Sequence, residues 1–100
     1  MLTIKERKRI FKVLRKGKVY ETVYFRIYYS RTDYSEAGFV VTVPKKIGNA
    51  VKRNYIKRII KNLLRHRSLN YDLIIRPKSP GIDYKSAKAD LESFWRLFDD

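Results

Sequence analysis

Arg53, Lys57, Lys61 and Arg65 recur at every fourth position. On a helical wheel turned by about 100° per residue, Asn54 and Arg58 fall on the same side. The opposite arc takes Val51, Tyr55, Ile56, Ile59, Ile60 and Leu63, with Leu64 at its edge, so residues 49–66 read as an amphipathic helix with Tyr55 on its core side. Only Lys52 points amid the apolar residues, where its stem would lie on the core while its ammonium reaches water. Like charges four residues apart cost a helix roughly 0.2–0.5 kcal/mol per pair, and no acid in this segment offsets that cost. A merely solvated face intersperses Glu and Asp. This face is a ladder of cations laid along one polyanion, and its Arg and Asn side chains can also hydrogen-bond phosphate oxygens and base edges. Lys45 and Lys46 lead into it through Gly48, which permits a tight turn, and Asn49, a candidate N-cap. The start of such a helix itself favours phosphate.

Other chemistry is poorly provided for. With no cysteine, the chain has no disulfide, no thiolate nucleophile and no cysteine-ligated zinc. His66 is the single histidine and reads as a surface residue near a helix C-terminus. The acids are isolated in sequence or are the terminal Asp99 and Asp100, with neither metal-ligand spacing nor a catalytic carboxylate pair. Asp72, just before a strand, reads as a turn residue rather than a metal ligand. No catalytic residue and no metal site are expected in this chain; if it belongs to an enzyme, something else supplies the chemistry.

The whole composition points the same way. One hundred residues with 24 Lys and Arg against 10 Asp and Glu carry a formal charge of +14, while 44% hydrophobic residues suffice for one modest core. Seventeen of the basic residues lie in two segments, 1–18 and 37–71, which contain only Glu6 as an acid. Mixed signs would make a surface merely soluble; segregated signs make a binding footprint. No apolar run approaches the roughly 20 residues of a membrane span, and residues 1–5 lack the apolar stretch of a signal peptide. The expectation is a single polyanion-binding domain over residues 1–100, with no membrane association and no obligate protein partner.

The elements that must position this helix follow from residue pattern. Residues 4–15 read as a helix with Ile4, Ile10, Phe11, Val13 and Leu14 as its apolar stripe, stopped at Gly17. Residues 19–30 read as one long strand, with Val19, Val23, Phe25, Ile27 and Tyr29 on a core face. Tyr20, Tyr24, Arg26 and Tyr28 lie on the other, aromatic face. A polar turn over residues 31–38 leads to a strand over 39–43, closed by Pro44, and the two strands pair as a hairpin. A buried strand over 71–76 and a helix over 83–98, capped by Asp83 or Ser86, complete the order αββαβα. The fold class is α+β, an α-β sandwich with its helices on one face of a small sheet and a first strand that is either one long strand or split in two.

The run from Lys45 to Arg58, K-K-I-G-N-A-V-K-R-N-Y-I-K-R, resembles the K-K-x-G-x-A-V-x-R-N-R-x-K-R signature of the bacterial ribonuclease P protein component. The likeness extends from the basic first helix ending at Gly17, through the aromatic strand, to the strand ending in Arg76-Pro77 and the last helix. The resemblance implies a fold like domain 2 of ribosomal protein S5, with a βαβ crossover. It implies a cytoplasmic bacterial ribonucleoprotein: an endoribonuclease whose catalytic subunit, the ribonuclease P RNA, uses Mg²⁺ to remove the 5′ leader of precursor tRNA. The protein would dock on that RNA through Lys45, Lys46, Asn49, Arg53, Asn54, Lys57, Arg58, Lys61 and Arg65. It would hold the leader in a cleft between this helix and the sheet, lined by Tyr20, Tyr24, Arg26 and Tyr28, with Phe25 a neighbouring strand position. Tyr55 stands where the signature has Arg. Ile10 and Leu14 stand where the family often has Phe, which leaves the strand tyrosines as the stacking platform. A ribosomal RNA-binding protein would use the same basic helix, and a DNA-compacting protein would share only the charge.

Overall fold

Residues 1–98 are described by a computed structural model, and they alternate short strands with three helices: β1 (Leu2–Thr3), α1 (Arg7–Lys16), β2 (Lys18–Glu21), β3 (Phe25–Arg31), β4 (Gly38–Val41), α2 (Ala50–Leu64), β5 (Tyr71–Pro77) and α3 (Tyr84–Trp95). Asp99 and Asp100 lie outside the described residues. The long strand expected over 19–30 is two strands. Thr22 closes the turn between them, its N–H donating to the Phe25 carbonyl at 2.9 Å and its Oγ1 accepting the Phe25 N–H at 2.9 Å. That leaves Val23 and Tyr24 at the tip of a two-residue hairpin loop.

Register then sets the faces. Tyr20 pairs with Ile27 and Val19 with Tyr28. The even residues of β2 therefore share a face with the odd residues of β3. β3 pairs antiparallel with β5, and β4 and β1 follow in parallel, giving the order β1-β4-β5-β3-β2. The expected hairpin between β3 and β4 does not form: β5 lies between them. β4 and β5 are instead parallel neighbours joined through α2, a βαβ crossover.

Alternation along the central strand β5 sorts the helices into two layers. Leu73 and Ile75 join Phe25, Ile27, Phe39 and Val41 in one core, closed by Ile56, Ile59, Ile60 and Leu64 of α2 and by Ala87, Leu91, Phe94 and Trp95 of α3. Asp72, on the opposite face, is gripped by Arg9 of α1. The helices thus cover both faces, a correction to the one-sided sandwich. Burial on both sides is why Leu73, Ile74 and Ile75 form a continuous apolar run in the sequence.

Helix boundaries have local causes. α1 begins three residues later than its stripe suggests because the Ile4 N–H donates to the Phe39 carbonyl at 2.8 Å and extends the β1–β4 ladder. It ends at Gly17, where a Cβ would meet the Tyr29 carbonyl oxygen at 2.8 Å and press closer still on that of Val13. Gly17→Ala is therefore expected to cost about 1–3 kcal/mol through overpacking, read as a fall in the urea midpoint; an unchanged midpoint would mean this approach is not close in solution. Asn49 caps α2, its Oδ1 accepting the Lys52 N–H at 2.9 Å. Asp83 and Ser86 form a reciprocal capping box on α3. No helix among the described residues is long and apolar enough to cross a membrane.

Candidate nucleic-acid interface

α2 buries Ile56, Ile59, Ile60 and Leu64, and everything else about its surface follows from that seam. The seam is rotated from the arc expected on the wheel. Val51 is 79% exposed and Tyr55 41% exposed, so Tyr55 faces solvent rather than the core, with the Lys52 ammonium 5.8 Å from its ring centre. Ile56, Ile59, Ile60 and Leu64 span the arc turned to the core, and on the wheel Val51 and Tyr55 fall outside it. Asn54, Arg58, Lys61 and Arg65 are exposed on the outer face and, with Lys57 and Asn62, line one shallow basic groove. Arg53 and Lys57 sit half-buried on a flank, and Arg53 donates from Nη1 to the Gly48 carbonyl at 3.3 Å, bracing the turn that enters the helix. Lys45 and Lys46 are exposed in the 3-10 turn before it. Among the described residues, no carboxylate lies within 4.0 Å of any cation of α2. The field of this face is uncompensated.

The space between α2 and the sheet is filled by the core, so no cleft runs there. The open surface is on the other side of the sheet. α1 crosses it at the Ser30–Asp72 end, leaving Arg26, Tyr28, Val40 and Arg76 uncovered or half-covered at the other end. Lys12 on one flank of α1 donates to the Arg31 carbonyl, so the opposite flank, with Ile10 and Leu14, borders the open end. Tyr28 and Arg26 lie on this surface. Tyr20 and Tyr24 do not: the hairpin loop reverses their parity, and both pack against the core, Tyr20 with its ring centre 5.5 Å from that of Phe94. Phe25 is fully buried. The aromatic platform is thus Tyr28 alone among the strand tyrosines named from the sequence, beside Val19 at 52% exposure.

Sequence reasoning missed two parts of the site. One is the anchor of α1. Asp72 is buried and accepts from Arg9 Nε at 2.9 Å and Nη2 at 2.8 Å, and from the Gly38 N–H at 2.9 Å. Arg9 also donates to the Glu36 carbonyl at 2.7 Å, with its guanidinium 4.0 Å from the Tyr34 ring centre. Burial pushes the Asp72 carboxyl up, but the Arg9 bond and the Gly38 N–H outweigh it and leave its pKa lowered. Asp72 is therefore an ion-pair partner and neither a turn residue nor a metal ligand; an acid within Tyr-Asp-Leu-Ile-Ile was the available signal. The other is Arg76 and Lys78, which share a recess with Arg26 and Lys46. That recess brings together one residue expected on the docking helix side and one expected in the leader cleft. Among the described residues, no group of three or more His, Asp or Glu side chains could hold a metal ion.

Known proteins share this architecture. The chain is 34% identical over 95 residues to the ribonuclease P protein component of Clostridium botulinum (strain 657 / Type Ba4), a match covering 88% of this chain and 86% of that one. It is 48% identical over 52 residues to the same component of Mesomycoplasma hyopneumoniae (strain 7448), where the match spans 52% of this chain and about half, 45%, of the relative. The RNase P protein of Staphylococcus aureus, solved at 2.0 Å, superposes with a TM-score of 0.84 at 24% identity over 99% of this chain and 96% of its own. That likeness establishes the fold. A family profile described as ribonuclease P matches residues 2–99, all but the first and last residues, and the chain belongs to that family.

Proposed function

We propose that this chain is the protein subunit of a bacterial, cytoplasmic ribonuclease P, in which a catalytic RNA with bound Mg²⁺ removes the 5′ leader of precursor tRNA. The protein docks on that RNA through the outer face of α2, with Asn54, Arg58, Lys61 and Arg65 in front and Lys45, Lys46, Arg53 and Lys57 at its margin. The observation that carries this reading is the acid-free cationic face of α2, held outward by an apolar seam on its other side. The single-stranded leader crosses the open face of the sheet, on the side away from α2. There Tyr28 offers a ring on which a base stacks whatever its identity, and Arg26 offers charge. The division of labour is simple: the protein binds and orients, and the RNA hydrolyses.

Reconstitution with ribonuclease P RNA tests this directly. At low salt the RNA with this protein and Mg²⁺ should cleave precursor tRNA where the RNA alone is slow, and the purified protein alone should cleave nothing. Nuclease activity in protein free of RNA would overturn the division of labour. Within the reconstituted enzyme, Tyr28→Ala should weaken binding of precursor tRNA about 5- to 150-fold, the equivalent of one lost stacking contact of about 1–3 kcal/mol. Mature tRNA, which has no leader, should bind as before; equal losses for both would place Tyr28 outside the leader path.

A further inference from the structure

Arg26 and Arg76 are direct cross-strand partners on adjacent strands, and both project from the open face. Two like charges placed opposite one another destabilise a sheet unless something between them carries the other sign. Lys46, from the turn before α2, and Lys78, just after β5, join them around a recess of about 380 Å³ walled by Pro44 and Pro77. That leaves room for a phosphate with part of its hydration shell. One carboxylate reaches two of the four cations. Glu21 accepts from Arg26 Nε and lies 3.8 Å from the Lys78 ammonium. Arg76 and Lys46 have no carboxylate within 4.0 Å among the described residues. The recess is therefore left with an excess of positive charge, and Glu21, at its margin, is its counter-ion.

We propose that this recess seats one backbone phosphate of a single-stranded RNA crossing the open face, and that Glu21 is a displaceable occupant standing in for that phosphate when no RNA is bound. The proposal deepens the reading of the open face given above and rests on it. Arg26 and Tyr28 are two residues apart on one strand and so about 6.6 Å apart on one face. A base stacked on Tyr28 thus carries its flanking phosphate towards the recess. The planar forks of Arg26 and Arg76 match phosphate oxygens in a way that the ammonium groups do not, giving the seat direction as well as charge. Glu21 and Arg26 are each about half exposed, so their pair is screened and gives way readily to a phosphate that several of these cations hold at once. The stand-in also answers the opposed arginines: it keeps this end of the unliganded sheet from carrying its full repulsion.

The test uses the reconstituted holoenzyme and reads the ratio of affinities for precursor and mature tRNA, which isolates contacts to the leader from contacts made by α2. Arg76→Ala should lower that ratio about tenfold and reduce the magnitude of the salt slope for precursor tRNA by roughly 0.7, the loss of one single-strand phosphate contact. Glu21→Gln should raise the ratio about threefold or more, because it removes the competitor. A gain cannot come from misfolding, so the second variant guards the first. Inorganic phosphate, added as a competitor at constant ionic strength, should lower the ratio weakly. If phosphate alone binds the recess tightly and independently of the leader, the RNA assignment is overturned. If Tyr28→Ala lowers the ratio while Arg76→Ala and Glu21→Gln leave it unchanged, the seat is refuted and the reading of the face stands. If the wild-type protein gives no preference for precursor over mature tRNA, the broader reading fails instead.

Discussion

Replacing Arg58, Lys61 and Arg65 together by alanine is expected to weaken assembly with ribonuclease P RNA a few hundredfold at about 0.1 M salt while leaving the fold intact. The size follows from counter-ion release. Each phosphate neutralised adds roughly 0.7–0.9 to the magnitude of the slope of log affinity against log salt. Three lost contacts remove about 2–2.7 from that slope, and at 0.1 M each unit of slope is about a factor of ten in affinity. The stability side points the other way. All three side chains are exposed, and among the described residues none has a carboxylate within 4.0 Å. Removing like charges at four-residue spacing relieves repulsion within α2, so the thermal midpoint should hold or rise slightly. Salt-dependent binding by filter retention or anisotropy, alongside thermal unfolding, separates the two effects. An unchanged slope would make these cations bystanders and move RNA docking elsewhere on the molecule.

How much of this was legible before any coordinates depends on the range of the signals. α2 declared itself because its seam, its cap at Asn49 and its row of cations all lie within one segment; only the rotation of the seam, which frees Val51 and Tyr55, needed the sheet beneath it. The capping box at Asp83 and Ser86 is equally local. The platform tyrosines fared worse. A period-two pattern assigns faces only while a strand runs straight, and the turn at Val23 and Tyr24 has neither Gly nor Asn to mark it. Thr22 closes it with a side-chain hydrogen bond, which a single sequence does not announce. One hidden reversal moved Tyr20 and Tyr24 to the core side and left Tyr28 where it was expected. Strand order is a still longer-range property. β4 sits beyond β5 from β3, and the junction of Asp72 with the Gly38 N–H and Arg9 links three segments far apart in sequence, which no local pattern announces.

The same junction makes the second large prediction. Asp72→Ala is expected to destabilise the protein by about 3–5 kcal/mol, because it leaves the Arg9 guanidinium buried without its partner. Against a typical total of about 5–15 kcal/mol, that is enough to unfold part of the population at 37 °C. The side chains of Arg9 and Asp72 are only 7% and 3% exposed, so water offers little compensation. Acid should do by titration what the substitution does by deletion. The folded carboxyl titrates below its unfolded value of about 3.9, so its contribution is complete above that value and is lost as pH falls through the folded pKa. The stability gap between wild type and Asp72→Ala, measured by urea unfolding, should therefore be constant from about pH 5 to 8 and shrink on further acidification. A gap that grows in acid, or one below about 1 kcal/mol throughout, would show that Arg9 finds water or another acceptor. The consequence reaches the proposed leader path. α1 is held over the sheet by Arg9 and Val13, and its Ile10 and Leu14 flank forms one bank of the open face beside Tyr28. Asp72→Asn retains an oxygen for the Gly38 N–H but loses the charge that fixes Arg9. In molecules that still fold, it should lower the preference for precursor over mature tRNA without weakening assembly through α2, since the two surfaces lie on opposite sides of the sheet.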